Sequence, residues 1–387
     1  MIDKKKIALE KHASWHGKLE VKPKVDLLSH PEELVYAYTP GVAEPCLEIE
    51  NDEEKSYLYT NRHNTIAVIT DGTAVLGLGD IGPVAGMPVM EGKCVLFKTY
   101  GDVDAIPLCI KSKDVDELVR TIYLLSGSFG GINLEDISAP RCFEVERRLK
   151  EICDIPIFHD DQHGTAIVVA AAVLNALKVV KKDIKKIKCV INGAGAAGIS
   201  IGKLLMKLGL SDLTYCDKVG VISEGLEGLN EAQEEISHFT NKRHLKGKLT
   251  EAIKGADLFI GVSGPNLVSK EMIKSMNKDA ICFPMANPVP EISYEDAKDA
   301  GARIVGTGRS DYPNQINNLL VFPGIFRGAL DSHAKEITDE MMIEAVYALS
   351  SYIKDSELSV DNIIPRATDI NVHKYLASRV KDAALKK

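Results

Sequence analysis

Several things are scarce in this sequence, and each shortage removes a class of function. Its eight cysteines, at 46, 94, 109, 142, 153, 189, 216 and 282, include no Cys-x-x-Cys pair, so the usual zinc and dithiol signatures are absent. Most lie in apolar stretches and read as buried, reduced thiols of a cytoplasmic protein. Positive charge is in deficit: 47 Lys and Arg against 55 Asp and Glu give a net charge of −8. With a pI near 5.8, that balance argues against nucleic acid or an anionic membrane surface as the main partner. The basic runs at Lys4 to Lys6 and Lys181 to Lys188 are short and read as solvated helix ends or linker. No apolar run approaches the ~18 residues of a membrane span. Met1-Ile2-Asp3-Lys4 opens no hydrophobic signal segment, so export is not expected. Internal repeats and low-complexity linkers are also missing. What remains is an ordinary globular composition over 387 residues, 45% hydrophobic, long enough for two or three domains with proper cores.

The stretch Ile157-Phe158-His159-Asp160-Asp161-Gln162-His163-Gly164-Thr165 separates two kinds of sequence. Before it, Ile155 to Phe158 predicts a short strand; after it, Thr165 to Val180 predicts a buried helix. Two adjacent carboxylates thus stand at the carboxyl end of a strand, where open α/β sheets bind ligands. Side by side in a partly dry place they repel, and a cation or basic partner keeps both ionised. The plainer alternative is an acidic helix cap with a solvated neighbour. Ile132 to Ile137 predicts another strand, ending in the acidic pair Glu135-Asp136. Consecutive strands tend to be neighbours, so four carboxylates converge on one rim. Oxygen ligands without His or Cys suit Mg²⁺ or Mn²⁺, not zinc. His159 and His163 read as structural, bonded to backbone or solvent.

Upstream, His12 to Pro31 has little periodicity and reads as a lead-in, with Trp15 at a core or interface. Tyr36 and Tyr38 precede the rigid turn Thr39-Pro40-Gly41. Such a tyrosine either packs, which local sequence favours, or points into a cleft. Asn64 to Thr70 and Thr73 to Leu78 are strand-like, with Asp71-Gly72 as a hairpin signal between them. After the glycine-rich Gly79-Asp80-Ile81-Gly82-Pro83 loop, Met87 to Phe97 predicts a helix with Pro88 near its start. Lys93 sits within that apolar helix. Burial lowers an ammonium's pKa toward a range where the free amine acts as a base, whereas a snorkelling lysine keeps its head in water. Ala105 to Ile110 predicts a strand, and Asp114 with Glu117 a capped helix carrying Val115, Leu118, Val119 and Ile122 on one face.

In the second half, Ile187 to Asn192 predicts a buried strand followed at once by Gly193-Ala194-Gly195-Ala196-Ala197-Gly198, an apolar helix from Ile199, and a second strand from Leu213 to Cys216 ending at Asp217. Strand, glycine loop, helix and an acid about 20 residues on form the dinucleotide fingerprint. Gly193 permits the turn, Gly195 lets backbone N–H groups reach a pyrophosphate, and Gly198 lets the helix pack closely. Asp217 can bond ribose hydroxyls and repels a 2′-phosphate, favouring NAD over NADP, although Lys218 stands beside it. Ala256 to Ser263, Ala280 to Pro284 and Ala302 to Gly306 each predict a further parallel strand. Asn287-Pro288 and Asn317-Asn318 fall in rim loops, where a carboxamide either caps a turn or bonds a nicotinamide ribose or a substrate carboxylate. Thr338 to Lys354 and Val372 to Lys387 predict surface helices packing across domains or subunits.

Taken together, TyrThrProGlyValAla at 38 to 43, GlyLeuGlyAspIleGly at 77 to 82, Gly92-Lys93, GluAsp at 135 and 136, AspAspGlnHisGlyThr at 160 to 165, the GAGAAG loop and AsnProValProGlu at 287 to 291 resemble the small bacterial malic enzymes. The resemblance runs over roughly residues 12 to 330. It implies an α/β protein with an N-terminal substrate and metal domain, residues 1–160, and a Rossmann-type doubly wound parallel-sheet domain with C-terminal helices, residues 161–387. It implies oxidative decarboxylation of (S)-malate to pyruvate and CO₂ with NAD, or NADP, and Mg²⁺ or Mn²⁺, together with decarboxylation of oxaloacetate, in a cytoplasmic homodimer. By motif, Glu135, Asp136 and Asp161 would be metal ligands, Lys93 the general base, Tyr38 the general acid and Asp160 the partner that orients Lys93. Asn287 and Asn318 would touch cofactor or substrate. Larger eukaryotic members carry an Arg ahead of the GLGD loop, where this chain has Ala74-Val75-Leu76, so the resemblance assigns no partner to the second malate carboxylate. Two other classes share parts of the pattern. A metal-independent amino-acid or hydroxyacid dehydrogenase would not need the acidic pairs, and a non-catalytic nucleotide-binding regulator would use them as caps.

Overall fold

The computed structural model describes residues 4–386; Met1, Ile2 and Asp3, which open the stretch read as lacking a signal segment, lie outside them. Two parallel sheets organise the chain. The first has the strand order β2-β1-β3-β4, with β1 at Thr65–Thr70, β2 at Asp104–Cys109, β3 at Gly131–Leu134 and β4 at Ile157–His159. Each pair is parallel. The second sheet has the order β10-β9-β8-β5-β6-β7, built from β5 Lys188–Asn192, β6 Asp212–Asp217, β7 Gly220–Val221, β8 Leu258–Gly261, β9 Ile281–Pro284 and β10 Ile304–Val305. Only β7 runs antiparallel, as a short edge beside β6. The strands read from Val/Ile-rich runs form as expected, because parallel strands are covered on both faces and need apolar side chains on both.

An N-terminal group of helices, α1 Lys4–Trp15, α2 Leu34–Ala37, α3 Ala43–Asn51 and α4 Ser56–Tyr59, has no buried residue. The lead-in thus begins with a helix. The first sheet carries α5 Pro83–Gly101, α6 Val115–Leu125 and α7 Arg141–Ile152. Asp114 caps α6 by accepting from Glu117 N, and Leu118, Val119 and Ile122 are its buried face. α8, Thr165–Val180, follows β4. Together with the turn before it, Asp160–Val180 is long and apolar enough to cross a membrane. The expectation that no such stretch exists is corrected: a helix is apolar all round when it is buried all round, and α8 has eleven buried residues. The second sheet adds α9 Ala196–Lys207, α10 Glu231–Ser237, α11 Leu249–Ala252, α12 Lys270–Lys274 and α13 Tyr294–Asp299. The chain closes with α14 Phe322–Asp331, α15 Asp339–Tyr352 and α16 Ile370–Ala384.

These last helices are less superficial than their sequence suggests. α14 and α16 pack on α5, which belongs to the first sheet. Phe97 of α5 meets Phe322 and Phe326 of α14 at 4.7 and 5.4 Å between ring centroids, and Phe158 of β4 meets Phe326 at 5.8 Å. All four rings are fully buried, each contributing about 1.5–3 kcal/mol by leaving water. Two local readings fail. Asp71-Gly72 makes no hairpin, and Thr73 to Leu78 is not a strand: it holds a 3-10 turn at Leu76–Leu78. Asp71 instead accepts from Thr73 N and pairs with Arg141 at 2.8 Å. Likewise α5 starts at Pro83, not near Pro88, which lies inside it.

Candidate active site

The acidic pairs meet because β3 and β4 are parallel neighbours in a register that sets Leu134 opposite His159. The next residues, Glu135 and Asp160, therefore leave the sheet side by side. After Glu135 the backbone turns left-handed at Asp136 (φ 54°). After His159 it winds through a π-turn, Asp160–Gly164, into α8. The ligand oxygens of Glu135, Asp136 and Asp161 come within 4.8 Å of one another. Asp161 Oδ2 also accepts from Asp136 N at 2.9 Å, which ties the two strand ends together.

Lys93 enters this cluster from α5. Its Nζ is 2.6 Å from Asp160 Oδ2 and 3.0 Å from Glu135 Oε1, with the Phe322 ring centroid 4.1 Å away. Asn318 Nδ2 donates to the same Asp160 Oδ2 at 2.6 Å, and Asn133 Nδ2 donates to Glu135 Oε2 at 2.9 Å. The sequence-based expectation that burial leaves Lys93 with a lowered pKa is overturned here. Burial pulls it down, but the carboxylates of Asp160, Glu135 and Asp161 together raise it above the ordinary lysine value. Those acids are strained in turn. Burial first and then mutual repulsion push Asp136 up to about 9, and burial and Glu135 push Asp160 up to about 8 against the pull of Lys93. Four carboxyl groups face one ammonium, and the buried Asp136 Oδ2 and Asp160 Oδ1 have no hydrogen-bond partner. A donor set of clustered, under-compensated oxygens fits a hard divalent cation.

A cleft of about 980 Å³ joins this cluster to the dinucleotide loop. Its walls include Lys93, Glu135, Asp136 and Asp161 on one side, and Ala197, Val262, Ser263, Asn287 and Asn318 on the other. Gly193 has φ 110° and nothing larger than hydrogen fits there, since an added Cβ would meet Val262 O at 2.6 Å. At Gly198 an added Cβ would lie 1.8 Å from Gly193 O, so the close approach is of helix to loop; Gly195 faces open space. Gly195 and Ala196 thus leave the amino terminus of α9 free for an anion. Ala194 N donates to Asp217 Oδ2 at 2.9 Å, and Gln233 Nε2 donates to the same oxygen at 3.1 Å. Asn287 leans on the glycine-rich loop from the other sheet: an added Cβ on Gly77 would be 2.5 Å from its carbonyl oxygen. The Asn287 loop is itself held by Glu291, fully buried, which accepts from Ser263 N at 2.9 Å and Ala286 N at 3.1 Å.

One expected member is elsewhere. Tyr38 does not line the cleft, nor is it packed: it is 69% exposed. Trp15, half exposed, reaches the cleft mouth with His12 and Lys18. The histidines also differ from expectation. His163 pairs with the buried carboxylate of Glu146 at 2.8 Å, and neither ring nitrogen of the buried His159 has a hydrogen-bond partner, Asp161 Oδ2 lying 3.9 Å from its Nδ1. Sequence reasoning missed Asn133, Glu146, Gln233 and Glu291. Glu291 had a signal, as the last residue of the AsnProValProGlu run; the others had none.

Residues 16–150 match the family model described as malic enzyme, N-terminal domain, and residues 162–385 the model described as malic enzyme, NAD binding domain. The chain is 54% identical over 379 residues to the bifunctional malic/malolactic enzyme of Bacillus subtilis (strain 168), covering 98% of this chain and 92% of that one. It is 50% identical over 368 residues to the NAD-dependent malic enzyme of Geobacillus stearothermophilus, covering 95% and 77%. The crystal structure of the NAD-dependent malic enzyme from Thermotoga maritima superposes with a TM-score of 0.93 at 48% identity, covering 97% of this chain and 98% of that one.

Proposed function

This chain belongs to the malic enzyme family and carries out oxidative decarboxylation of malate with a nicotinamide dinucleotide, and we propose that the acidic cluster at the ends of β3 and β4 is where it does so. The observation that carries this reading is the single cleft that joins Lys93, Glu135, Asp136 and Asp161 to the start of α9. Glu135, Asp136 and Asp161 would hold Mg²⁺ or Mn²⁺, which when bound supplies charge stabilisation to the C2 oxygen and C1 carboxylate of malate. The Gly193 to Gly198 loop and Asp217 would hold NAD in preference to NADP, and Asn287, which lines the same cleft, would touch cofactor or substrate.

Lys93 takes the proton of the C2 hydroxyl. Once Glu135 and Asp161 are neutralised, what still raises its pKa is chiefly Asp160, and burial favours the free amine. Asp160 and Asn318 fix where that amine points, since both side chains are themselves anchored at 2.6 Å. Loss of CO₂ from the 2-keto acid leaves an enolate whose C3 needs a proton; Tyr38 is the candidate by motif, and since it stands outside the cleft of its own chain it would have to come from a second subunit of the homodimer. The same site would decarboxylate oxaloacetate, which enters after the hydride step. Five buried and no paired cysteines support a reducing, cytoplasmic setting. Incubation with malate, Mn²⁺ and NAD tests the site assignment: reduced cofactor and pyruvate accumulate together with the native chain, and Lys93→Ala gives neither. Full activity in excess chelator would instead show that the acids hold no metal.

A further inference from the structure

We infer that Lys18 recognises the C4 carboxylate of malate, with the substrate lying across the bare helix surface at Gly92, between Lys18 and Lys93. The inference rests on the site proposed above and deepens it. Malate carries two carboxylates. The proposed metal site takes C1 together with the C2 oxygen, which leaves C4 in need of a charged donor of its own. Among the described residues the cleft walls hold three basic groups, His12, Lys18 and Lys93, and no arginine. Lys93 is held between Asp160 and Glu135 and faces the C2 hydroxyl. His12 bonds Ala8 O through Nδ1 at 2.8 Å, and its ring lies against Trp15 with centroids 5.3 Å apart. Asn318 already donates to Asp160 at 2.6 Å, and Asn287 brings no charge. Lys18 remains.

Helix α5, which carries Lys93, also fixes Lys18. The Lys18 backbone N–H donates to Glu91 Oε2 at 3.1 Å, so that carboxylate anchors the main chain and not the side chain. Lys18 Nζ donates to Pro88 O at 2.6 Å, and among the described residues it pairs with no carboxylate. An ammonium has three N–H groups, so two remain for an anion. The same Nζ stands over Gly92, where an added Cβ would lie 3.6 Å from it; apart from its own helix turn, nothing else lies within 4 Å. Packing therefore does not require a glycine at 92, and glycine weakens a helix interior. The bare backbone is explained by what must lie on it, because a methyl group there would narrow the cleft between the Lys18 ammonium and Lys93. A partly exposed lysine also suits a group that must leave. As the C3–C4 bond breaks, its electron pair forms the C2=C3 bond of the enolate, the C2 carbonyl pair moves onto its oxygen, and C4 departs as neutral CO₂. A tight clamp on the carboxylate would stabilise the state before this step and slow it. A single ammonium at the wet mouth recognises the charge and returns to Pro88 O once it is gone.

Steady-state kinetics of Lys18→Met test this, with malate as substrate and pyruvate as product inhibitor. Pyruvate keeps the C1 carboxylate and C2 oxygen and lacks C4. The KM for malate should rise about 5- to 20-fold, the loss of one charge-assisted contact in a partly wet place. The Ki for pyruvate should not move, and kcat should not fall in proportion. Lys18→Arg keeps the charge and should recover most of the malate KM. Gly92→Ala should raise the unfolding midpoint, as alanine does in a helix, and nevertheless raise the KM for malate. An unchanged malate KM in Lys18→Met overturns the inference, as does a pyruvate Ki that rises by the same factor, since Lys18 would then only shape the cleft. A Lys93→Ala enzyme that still oxidises malate would remove the proposed site and this inference with it, whereas an unaltered Lys18→Met beside an inactive Lys93→Ala removes the inference alone.

Discussion

Lys93 Nζ and Asp160 Oδ2 stand 2.6 Å apart, with Asp160 completely buried, so the proposed base and its proposed orienting acid are locked to one another before any substrate arrives. Asp160→Asn keeps the shape and removes a charge that holds Lys93 protonated. The expected result is a fall in kcat of about 10²–10³-fold, in the range of a mispositioned general base, with a much smaller change in KM for malate. Because one of the carboxylates that raise the Lys93 pKa is gone, the free amine becomes available at lower pH, and the acid limb of the kcat profile moves to lower pH. An unmoved limb would show that Lys93 is not the group it reports.

Glu135, Asp136 and Asp161 should bind Mn²⁺ without substrate. A cation that binds only the folded chain stabilises it by about 2.7 kcal/mol at one hundred times its Kd, several degrees in unfolding midpoint for a protein of this size. Calorimetric scans with and without MnCl₂ should show that rise in the wild type and its loss in Asp161→Asn or Asp136→Asn. Since burial raises both carboxyls in the metal-free protein, joined at Asp136 by repulsion from Asp161 and Glu135, either asparagine variant without metal should be no less stable than wild type.

How far the sequence reaches is visible at particular residues. The meeting of Glu135 with Asp160 follows from two apolar strands separated by one helix, because neighbouring parallel strands deliver their carboxyl ends to one rim. The span of α8 was legible to the residue, and the GAGAAG loop was legible because its glycines answer to steric needs found locally. The direction of the Lys93 pKa was not. It is set by three carboxylates from two other strands, and burial, the only term a local reading supplies, points the wrong way. Thr73 to Leu78 alternates like a strand yet lies beyond the end of the sheet, where Asp71 and Arg141 bind the loop instead. Glu146 beneath His163 and Gln233 beside Asp217 are single polar residues on helices, with nothing in their neighbours to distinguish them from solvent-facing ones.

Asp217 should decide the dinucleotide. Its Oδ2 is engaged by Ala194 N and Gln233 Nε2 and its Oδ1 by Lys218 N, which fixes the carboxylate at the end of β6, where a ribose would lie. Initial rates should favour NAD over NADP. Asp217→Ser removes a charged acceptor worth about 1.5–3 kcal/mol, so kcat/KM for NAD should fall by roughly 10- to 100-fold while that for NADP holds or rises. Equal losses with both cofactors would mean that Asp217 serves only to brace the glycine loop.

His373 gives the fold an acid-sensitive point well away from the catalytic cluster. It is buried in α16, its ring 4.7 Å from that of Tyr100 on α5. Its Nε2 lies 2.8 Å from Ala367 O, so this nitrogen carries the proton of the neutral ring, and Nδ1 has no partner. Burial lowers its pKa below the usual histidine value, outweighing the Ala367 carbonyl and Asp369, which pull the other way. As pH falls through the unfolded value of about 6.5, the unfolded chain takes up a proton that the folded chain refuses. Stability is therefore unaffected by this group at high pH and declines below that value until the folded pKa is reached. His159, pushed down to about 4 by burial, acts in the same direction, so the wild-type slope contains both. His373→Gln keeps an N–H for Ala367 and cannot titrate. Unfolding midpoints measured from pH 7.5 to 5.5 should fall less steeply for that variant than for the wild type, and parallel slopes would show that His373 is protonated as readily in the fold as out of it.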